Sequence, residues 1–363
     1  MGQPLRIGIV GAGTISAHYA HTIARLPAID LVAVADLDAS RAQALAQNAP
    51  SARALPVAQL LAADDVDLVL NLTIPAAHAE VAGEAVAAGK HVYGEKPLAA
   101  DTAAARAVLD AASAAGVSVG CAPDTVLGTG IQTARKAIDD GLIGRPVAAT
   151  ATMVTPGHER WHPHPDFYYA PGGGPLYDMG PYYVTALVTL LGPVLDVVGA
   201  TSRHRAVRTI GSGPRAGAQI PVSVDTHVTA ILRHVGGALS TLVMSFDAVA
   251  SQAPRIEVHG ERASLVVPDP NGFAGDVLLR ELGSADWALL PPSAGYAGGG
   301  RGIGLIDLAA ASGAGPRPIR ASGQLAFHVL DVIESVIAAA ADGAVVGVGS
   351  TCQRPDPVPF VDL

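Results

Sequence analysis

A chain of 363 residues is longer than a single hydrophobic core usually organises, so two domains are expected and a small module is excluded. Half of the residues are hydrophobic and the mean hydropathy is +0.36, but no run of about 18 residues escapes charge, proline or glycine, so no membrane span is expected. A net charge of −9 with only 23 Lys and Arg argues against a nucleic-acid partner, because counterion release needs clustered cations. A small-molecule partner is expected instead.

The N-terminus enters an apolar run with no signal-peptide pattern before it, and the two cysteines, Cys121 and Cys352, have neither disulfide-framework nor zinc spacing. Both features predict a cytoplasmic chain. Short apolar runs then alternate with alanine-rich helical stretches, the rhythm of a doubly wound parallel sheet. Strands are predicted at Leu5 to Val10, Leu31 to Ala35, Asp67 to Leu72, His91 to Gly94 and Val117 to Gly120. Helices are predicted near Ile15 to Leu26, Ser40 to Asn48, Ala77 to Ala88 and Thr102 to Ala115, with Gly89 and Gly116 at helix C-caps.

Past this point a helix near Gly130 to Asp140 leads into a β-branched run, Val147 to Thr155. A hairpin is expected over His227 to His234 and Ala238 to Phe246, with Gly236-Gly237 as a tight primed turn. Arg255 to His259 and Ala263 to Val267 would continue it as an antiparallel meander. Pro291 to Gly304 reads as a long loop and Gln324 to Ala341 as a closing helix. The expected domains are 1–123 and 124–363, with the last helix packing back on the first domain.

Gly11-Ala12-Gly13-Thr14-Ile15-Ser16 follows the first strand and opens the first helix, the context a dinucleotide fingerprint requires. Gly11 permits the turn, Gly13 lets the backbone approach a pyrophosphate, and the helix N-terminus at Thr14 and Ile15 offers N–H groups. Asp36 stands 20 residues after Ser16, where a carboxylate accepts bonds from the adenosine ribose hydroxyls. With Leu37 and Asp38 following, a 2′-phosphate would be repelled, which favours NAD over NADP. Gly94-Glu95-Lys96-Pro97 ends a strand at the carboxyl edge of the same sheet, placing Glu95 and Lys96 near the cofactor.

Gly11-x-Gly13 with Asp36, Thr73-Ile74-Pro75 with His78, Glu95-Lys96-Pro97 and the segment Gly172 to Tyr182 occur in one order. Together they resemble the glucose-fructose oxidoreductase/inositol dehydrogenase/rhizopine-catabolism oxidoreductases over essentially the whole chain. The resemblance implies a Rossmann domain, a second α/β domain with a large, mainly antiparallel sheet, and a substrate cleft between them. It also implies that Thr73, Pro75, His78 and Glu95 lie beside the cofactor and that Lys96 contacts the reacting hydroxyl. Asp178 and Tyr182 would complete the catalytic set, Tyr182 moving the proton; at i and i+4 they share one helix face. A Lys96 cation beside Tyr182 would favour the phenolate.

Tyr182 stands where histidine is commoner, a departure resembling the sugar oxidoreductase and dihydrodiol dehydrogenase branches. Cys121-Ala122-Pro123-Asp124 replaces an aromatic-Asn-Arg-Arg run, leaving Asp124 as a candidate for lining the cleft. His158 to His164 holds three histidines and a glutamate, but the prolines after His162 and His164 prevent a regular helical face and no metal is expected. Trp161 reads as a platform for a sugar ring, with His162 and His164 as hydroxyl partners. The expected function is NAD-dependent oxidation of a secondary alcohol in a sugar, glycoside or cyclic polyol, by a homodimer or homotetramer. The alternatives are an NAD-retaining glycosidase or lyase working by transient oxidation, and a non-catalytic dinucleotide-binding regulator.

Overall fold

Strands covered on both faces read as continuous apolar runs, and the first strands do so: Ile7, Ile9, Val34, Leu68 and Leu70 are fully buried. In the computed structural model, which describes residues 3–311 and 318–363, these runs form a six-stranded parallel sheet. Its strands are β1 (Leu5–Val10), β2 (Ile29–Ala35), β3 (Arg53–Ala54), β4 (Leu68–Asn71), β5 (His91–Gly94) and β6 (Val119–Cys121). They pair in the order β3-β2-β1-β4-β5-β6. The order reverses between β1 and β4, and the crevice at their carboxyl ends is where open α/β sheets bind ligands.

The helices between them are α1 (Ser16–Ile23), α2 (Ala39–Ala46), α3 (Val57–Ala62), α4 (His78–Ala87) and α5 (Thr102–Ala115). α5 is delimited by local chemistry: the Asp101 side chain accepts from Ala104 N–H at 2.8 Å, and Gly116 closes the helix at φ +69°. Gly89 is likewise left-handed, at φ +73°. β3 and α3 were not expected. β3 is two exposed residues and α3 is six residues long behind Pro56, so neither leaves a hydrophobic period to read.

The later chain begins with α6 (Thr129–Asp139), β7 (Pro146–Val154), α7 (Pro175–Leu191) and β8 (Val194–Ser202). A small ribbon of β9 (Val207–Thr209) and β10 (Gln219–Pro221) precedes β11 (His227–His234), β12 (Leu239–Ser245), β13 (Ile256–Gly260), β14 (Ala263–Val267), β15 (Val277–Glu281) and β16 (Ala288–Leu290). The large sheet runs β16-β15-β14-β13-β7-β12-β11-β8, ending on Val346–Gly347. Every pairing is antiparallel except β12 with β7. The expected continuous meander is therefore interrupted, since β7 lies between the β11–β12 hairpin and β13. The inward residues Val228, Ala230 and Leu232 are buried while Ile231 is exposed, the alternation of a sheet covered on one face.

The hairpin turn also differs from a two-residue primed turn. Only Gly237 has a positive φ, +89°, and its N–H donates to His234 at 2.8 Å while His234 N–H donates to Ala238 at 2.9 Å. Those bonds define a three-residue loop ending on a left-handed glycine.

Contacts divide the chain into two compact units that are not consecutive blocks. Unit 1 comprises Met1–Gly128, Tyr296–Leu330 and Val358–Leu363; unit 2 comprises Thr129–Gly295 and Asp331–Pro357. Part of the expected Pro291 to Gly304 loop therefore belongs to unit 1, where Tyr296–Ala297 pairs with Val361–Asp362. Among the described residues one helix, Gly323–Asp342, is long and apolar enough to cross a bilayer, but Leu325, Phe327, Val329, Leu330, Val332, Ile333 and Val336 are buried within the protein, as in a core helix.

Candidate functional site

In unit 1 the turn after β1 is dictated by a glycine. Gly11 has φ +102°, and a Cβ there would lie 2.6 Å from the Leu72 carbonyl oxygen at the end of β4. Only glycine lets the β1 and β4 ends approach so closely. A Cβ on Gly13 would meet no atom within 4 Å, so the space before this residue is open, as backbone approach to a pyrophosphate needs. Ser16 at the helix start is buried and its hydroxyl donates to the Gly13 carbonyl at 2.6 Å, holding the turn against α1.

Asp36 is tied to this turn. Its Oδ2 accepts from Ala12 N–H at 2.6 Å and its Oδ1 from Asp38 N–H at 2.8 Å, which fixes the carboxylate at the end of β2 and leaves further lone pairs for ribose hydroxyls. The nearest downstream cation, Arg41, lies 3.5 Å from Asp38. The glycine turn, the open space at Gly13 and the anchored Asp36 fit a dinucleotide.

The next two segments of the carboxyl edge are braced to each other. His78 is buried, with Nδ1 2.6 Å from the Pro97 carbonyl and Nε2 3.1 Å from the Thr73 carbonyl. It ties the loop after β4 to the loop after β5 at the carboxyl edge of the sheet. Thr73 is half-buried and its hydroxyl donates to Asn71 at 2.6 Å, while Pro75 is exposed. Glu95 accepts from the Tyr19 hydroxyl at 2.8 Å and from Lys96 N–H at 3.0 Å. Lys96 is half-buried, directly after β5.

Asp124 does not line an open surface. It is fully buried, and its Oδ2 accepts from Gly302 N–H at 2.8 Å and Gly304 N–H at 3.0 Å. Burial raises its pKa to about 6, and the Glu95 charge adds to that against the two backbone bonds. It clamps the returning segment of unit 1, and a substrate contact is not available to it.

In unit 2 the Gly172-Gly173-Gly174 run has a steric cause. Gly174 precedes α7 at φ +91°, and a Cβ on Gly173 would lie 2.3 Å from the Phe167 carbonyl oxygen. The run thus lets the turn Asp166–Tyr168 fold against the start of α7. Asp178 in the first turn is half-buried and Tyr182, one turn on, is 5% exposed.

His158 is the site residue that sequence reasoning did not select. Its Nε2 lies 3.1 Å from Asp178 Oδ2, and Nδ1 is buried without a partner among the described residues. The ring is packed by Phe246 and Tyr168, with centroids at 4.4 and 4.6 Å. An Nε2–H tautomer donating to Asp178 leaves only a lone pair unmatched at Nδ1. Trp161 is 59% exposed and edge-on to His158 and His162. His162 Nδ1 accepts from His164 N–H at 3.0 Å, desolvation lowers its pKa, and His164 is exposed.

Glu159, next to His158, points elsewhere. It accepts from Arg208 at 3.0 Å and from the Tyr169 hydroxyl, which in turn accepts from His158 N–H at 3.1 Å. Burial raises the Tyr169 pKa, so it remains a donor. Arg208 also pairs with Asp247, and all three charged side chains are largely buried. Among the described residues no three His, Cys, Asp or Glu side chains converge as metal ligands. Arg208 and Asp247 carry no motif, being 49 and 88 residues from Glu159, so no local pattern reveals them.

Residues 5–122 match the family described as "Oxidoreductase family, NAD-binding Rossmann fold", and residues 131–266 match "GFO/IDH/MocA C-terminal domain". The inositol 2-dehydrogenase of Rhizobium meliloti is 30% identical over 288 residues, covering 79% of this chain and 81% of that protein. The dTDP-3,4-didehydro-2,6-dideoxy-alpha-D-glucose 3-reductase of Streptomyces violaceoruber is 30% identical, over 71% and 78%. A levoglucosan dehydrogenase solved in complex with NADH superposes with a TM-score of 0.80 at 21% identity, over 96% of this chain and all of that one.

Proposed function

Since the chain belongs to the glucose-fructose oxidoreductase/inositol dehydrogenase/rhizopine-catabolism oxidoreductase family, we propose that it is an NAD-dependent dehydrogenase of a secondary alcohol in a sugar, glycoside or cyclic polyol. The observation that carries this reading is the carboxyl edge of the parallel sheet, where the glycine turn, the anchored Asp36 and Lys96 follow β1, β2 and β5. Asp36 favours NAD, because its carboxylate would repel a 2′-phosphate and Arg41 is drawn toward Asp38.

When bound, NAD supplies the hydride acceptor. The chain's own residues handle the proton and the orientation. Tyr182 takes the proton of the reacting hydroxyl, Lys96 orients that oxygen and favours the phenolate, and Asp178, held by His158, binds a neighbouring hydroxyl. Trp161 offers a stacking face for the ring, with His162 and His164 as hydroxyl partners. Unit 1, which holds residues 1–123, would bind the cofactor, with unit 2 supplying the substrate site and an oligomer interface. The exposed sheet residues Val198, Ile231 and Leu239 suit pairing into a homodimer or homotetramer. A cytoplasmic location suits the two free cysteines.

The test is reduced-nicotinamide absorbance with NAD, then NADP, across monosaccharides, glycosides, inositols and anhydrosugars, alongside a thermal-shift measurement of NAD binding. Turnover with NAD on one of these is expected. NAD binding without net reduction on any of them would replace the reading with an NAD-retaining or regulatory one, and absence of NAD binding would remove it.

A further inference from the structure

One concavity lies wholly within unit 2 and includes none of the residues proposed to contact cofactor or substrate. Its volume is about 400 Å³, and its lining includes Glu159, Arg160, Arg205, Arg208, Thr209 and Gly211. Three arginines line it in a chain where acids outnumber Lys and Arg by 32 to 23.

The one lining carboxylate is already committed. Glu159 is 3% exposed and serves Arg208 and Tyr169. Of the other acids near this region, Asp247 pairs with Arg208, and Asp166 pairs with Arg215 at 2.6 Å. Arg160 and Arg205 are exposed, and among the described residues neither has an acidic partner. Both are therefore available to a ligand.

Arg208 is different, because its side chain has no exposed surface at all. Its terminal nitrogens serve Glu159, the Pro156 carbonyl and Asp247, while Nε has no acceptor among the described residues. A buried, unmatched N–H of a cation is costly, so Arg208 holds positive potential beneath the concavity rather than a contact within it. Two exposed arginines without acidic partners among the described residues, lining one concavity, describe a receptor for an oxyanion, since planar guanidinium forks match the oxygens of a phosphoryl group.

We infer that this concavity binds a phosphoryl group, carried by a sugar phosphate or nucleotide diphosphate or present as free phosphate. The turn His158–Arg160 links it to the site described above: His158 contacts Asp178 on α7, and Arg160 lines the concavity two residues later. Binding is nonetheless independent of the proposed dehydrogenase reaction, and its test needs no turnover.

The test is calorimetric titration of the full chain with inorganic phosphate, against chloride at matched ionic strength, followed by glucose 1-phosphate and uridine diphosphate. Saturable phosphate binding is expected, weakened about tenfold in Arg205→Gln and in Arg160→Gln, as loss of one charge-assisted bond predicts. Trp161, beside Arg160, should change its fluorescence in the same titration, with the midpoint moved to about tenfold higher phosphate in the variants. An organic phosphate binding at least tenfold more tightly than inorganic phosphate assigns the subsite to the substrate; equal or weaker binding assigns it to free phosphate. No saturable heat beyond chloride, or unchanged affinity in both variants, overturns the inference, the latter because phosphate would then be held at another place such as the glycine turn.

Discussion

In unit 1 the groups suited to a dinucleotide are backbone N–H groups and one carboxylate, set by turns that follow neighbouring parallel strands. Gly11 and Asp36 are 25 positions apart, and each occupies the first residue after its strand. In unit 2 Asp178 depends on His158, 20 residues earlier, and the His158 turn depends on Arg208, 49 residues from Glu159. The first arrangement is built from chain geometry and tolerates no Cβ at one point. The second is built from buried charges and tolerates no missing partner. A fault in the first should be felt locally at a βα turn, and a fault in the second should be felt as lost stability of the surrounding sheet and loops.

The largest expected effect separates chemistry from both kinds of scaffold. Lys96→Ala should lower turnover about a thousandfold, the range of a lost acid–base or orienting group, with NAD affinity and melting temperature close to wild type. Steady-state rates beside thermal shift with NAD would check this, and near-normal turnover at neutral pH would remove Lys96 from the reaction. Arg208→Met leaves Glu159 and Asp247 buried without their cation, a change costing about 3–5 kcal/mol. Urea denaturation should show it, and a loss below about 1 kcal/mol would mean that the cluster is not what holds the turn.

Gly11→Ala should cost about 2 kcal/mol and at least tenfold in NAD affinity, because the turn must open to admit a Cβ against Leu72. Unchanged affinity would show that the turn is not the pyrophosphate site. The smallest effect is expected from Asp124→Asn. With its pKa raised to about 6 against an ordinary value near 4, Asp124 makes the folded chain bind more protons than the unfolded chain between those values. Its contribution to stability therefore falls as pH rises through that window. The asparagine variant keeps a carbonyl for Gly302 and Gly304 and should flatten the melting-temperature profile there by a few degrees; an unaltered slope would show that Asp124 does not titrate in the window.

Most of unit 1 was legible because its signals are local. β1, β5 and α5 are found at the expected residues, since buried parallel strands are apolar throughout and α5 carries both its caps within its own segment. β3 and α3 left no trace, because two exposed residues and six helical ones are shorter than any hydrophobic period. Asp124 misled for a related reason: a carboxylate in a loop after a strand resembles a site residue until the Gly302–Gly304 segment, some 180 positions later, is known to cover it.

By itself the sequence determined the parallel sheet, the glycine turn with Asp36 and Lys96 on one edge, and the i, i+4 placement of Asp178 and Tyr182, because strand burial, helix period and backbone sterics act over a few residues. Tertiary structure alone decided that β7 enters the sheet between β12 and β13 and that Tyr296–Leu330 returns to unit 1. It also decided that His158, Glu159 and Arg160 send their side chains to three different partners or surfaces. These outcomes depend on which distant groups can desolvate, pair and pack together, and such pairings are set by the complete fold rather than by the spacing of residues along the chain.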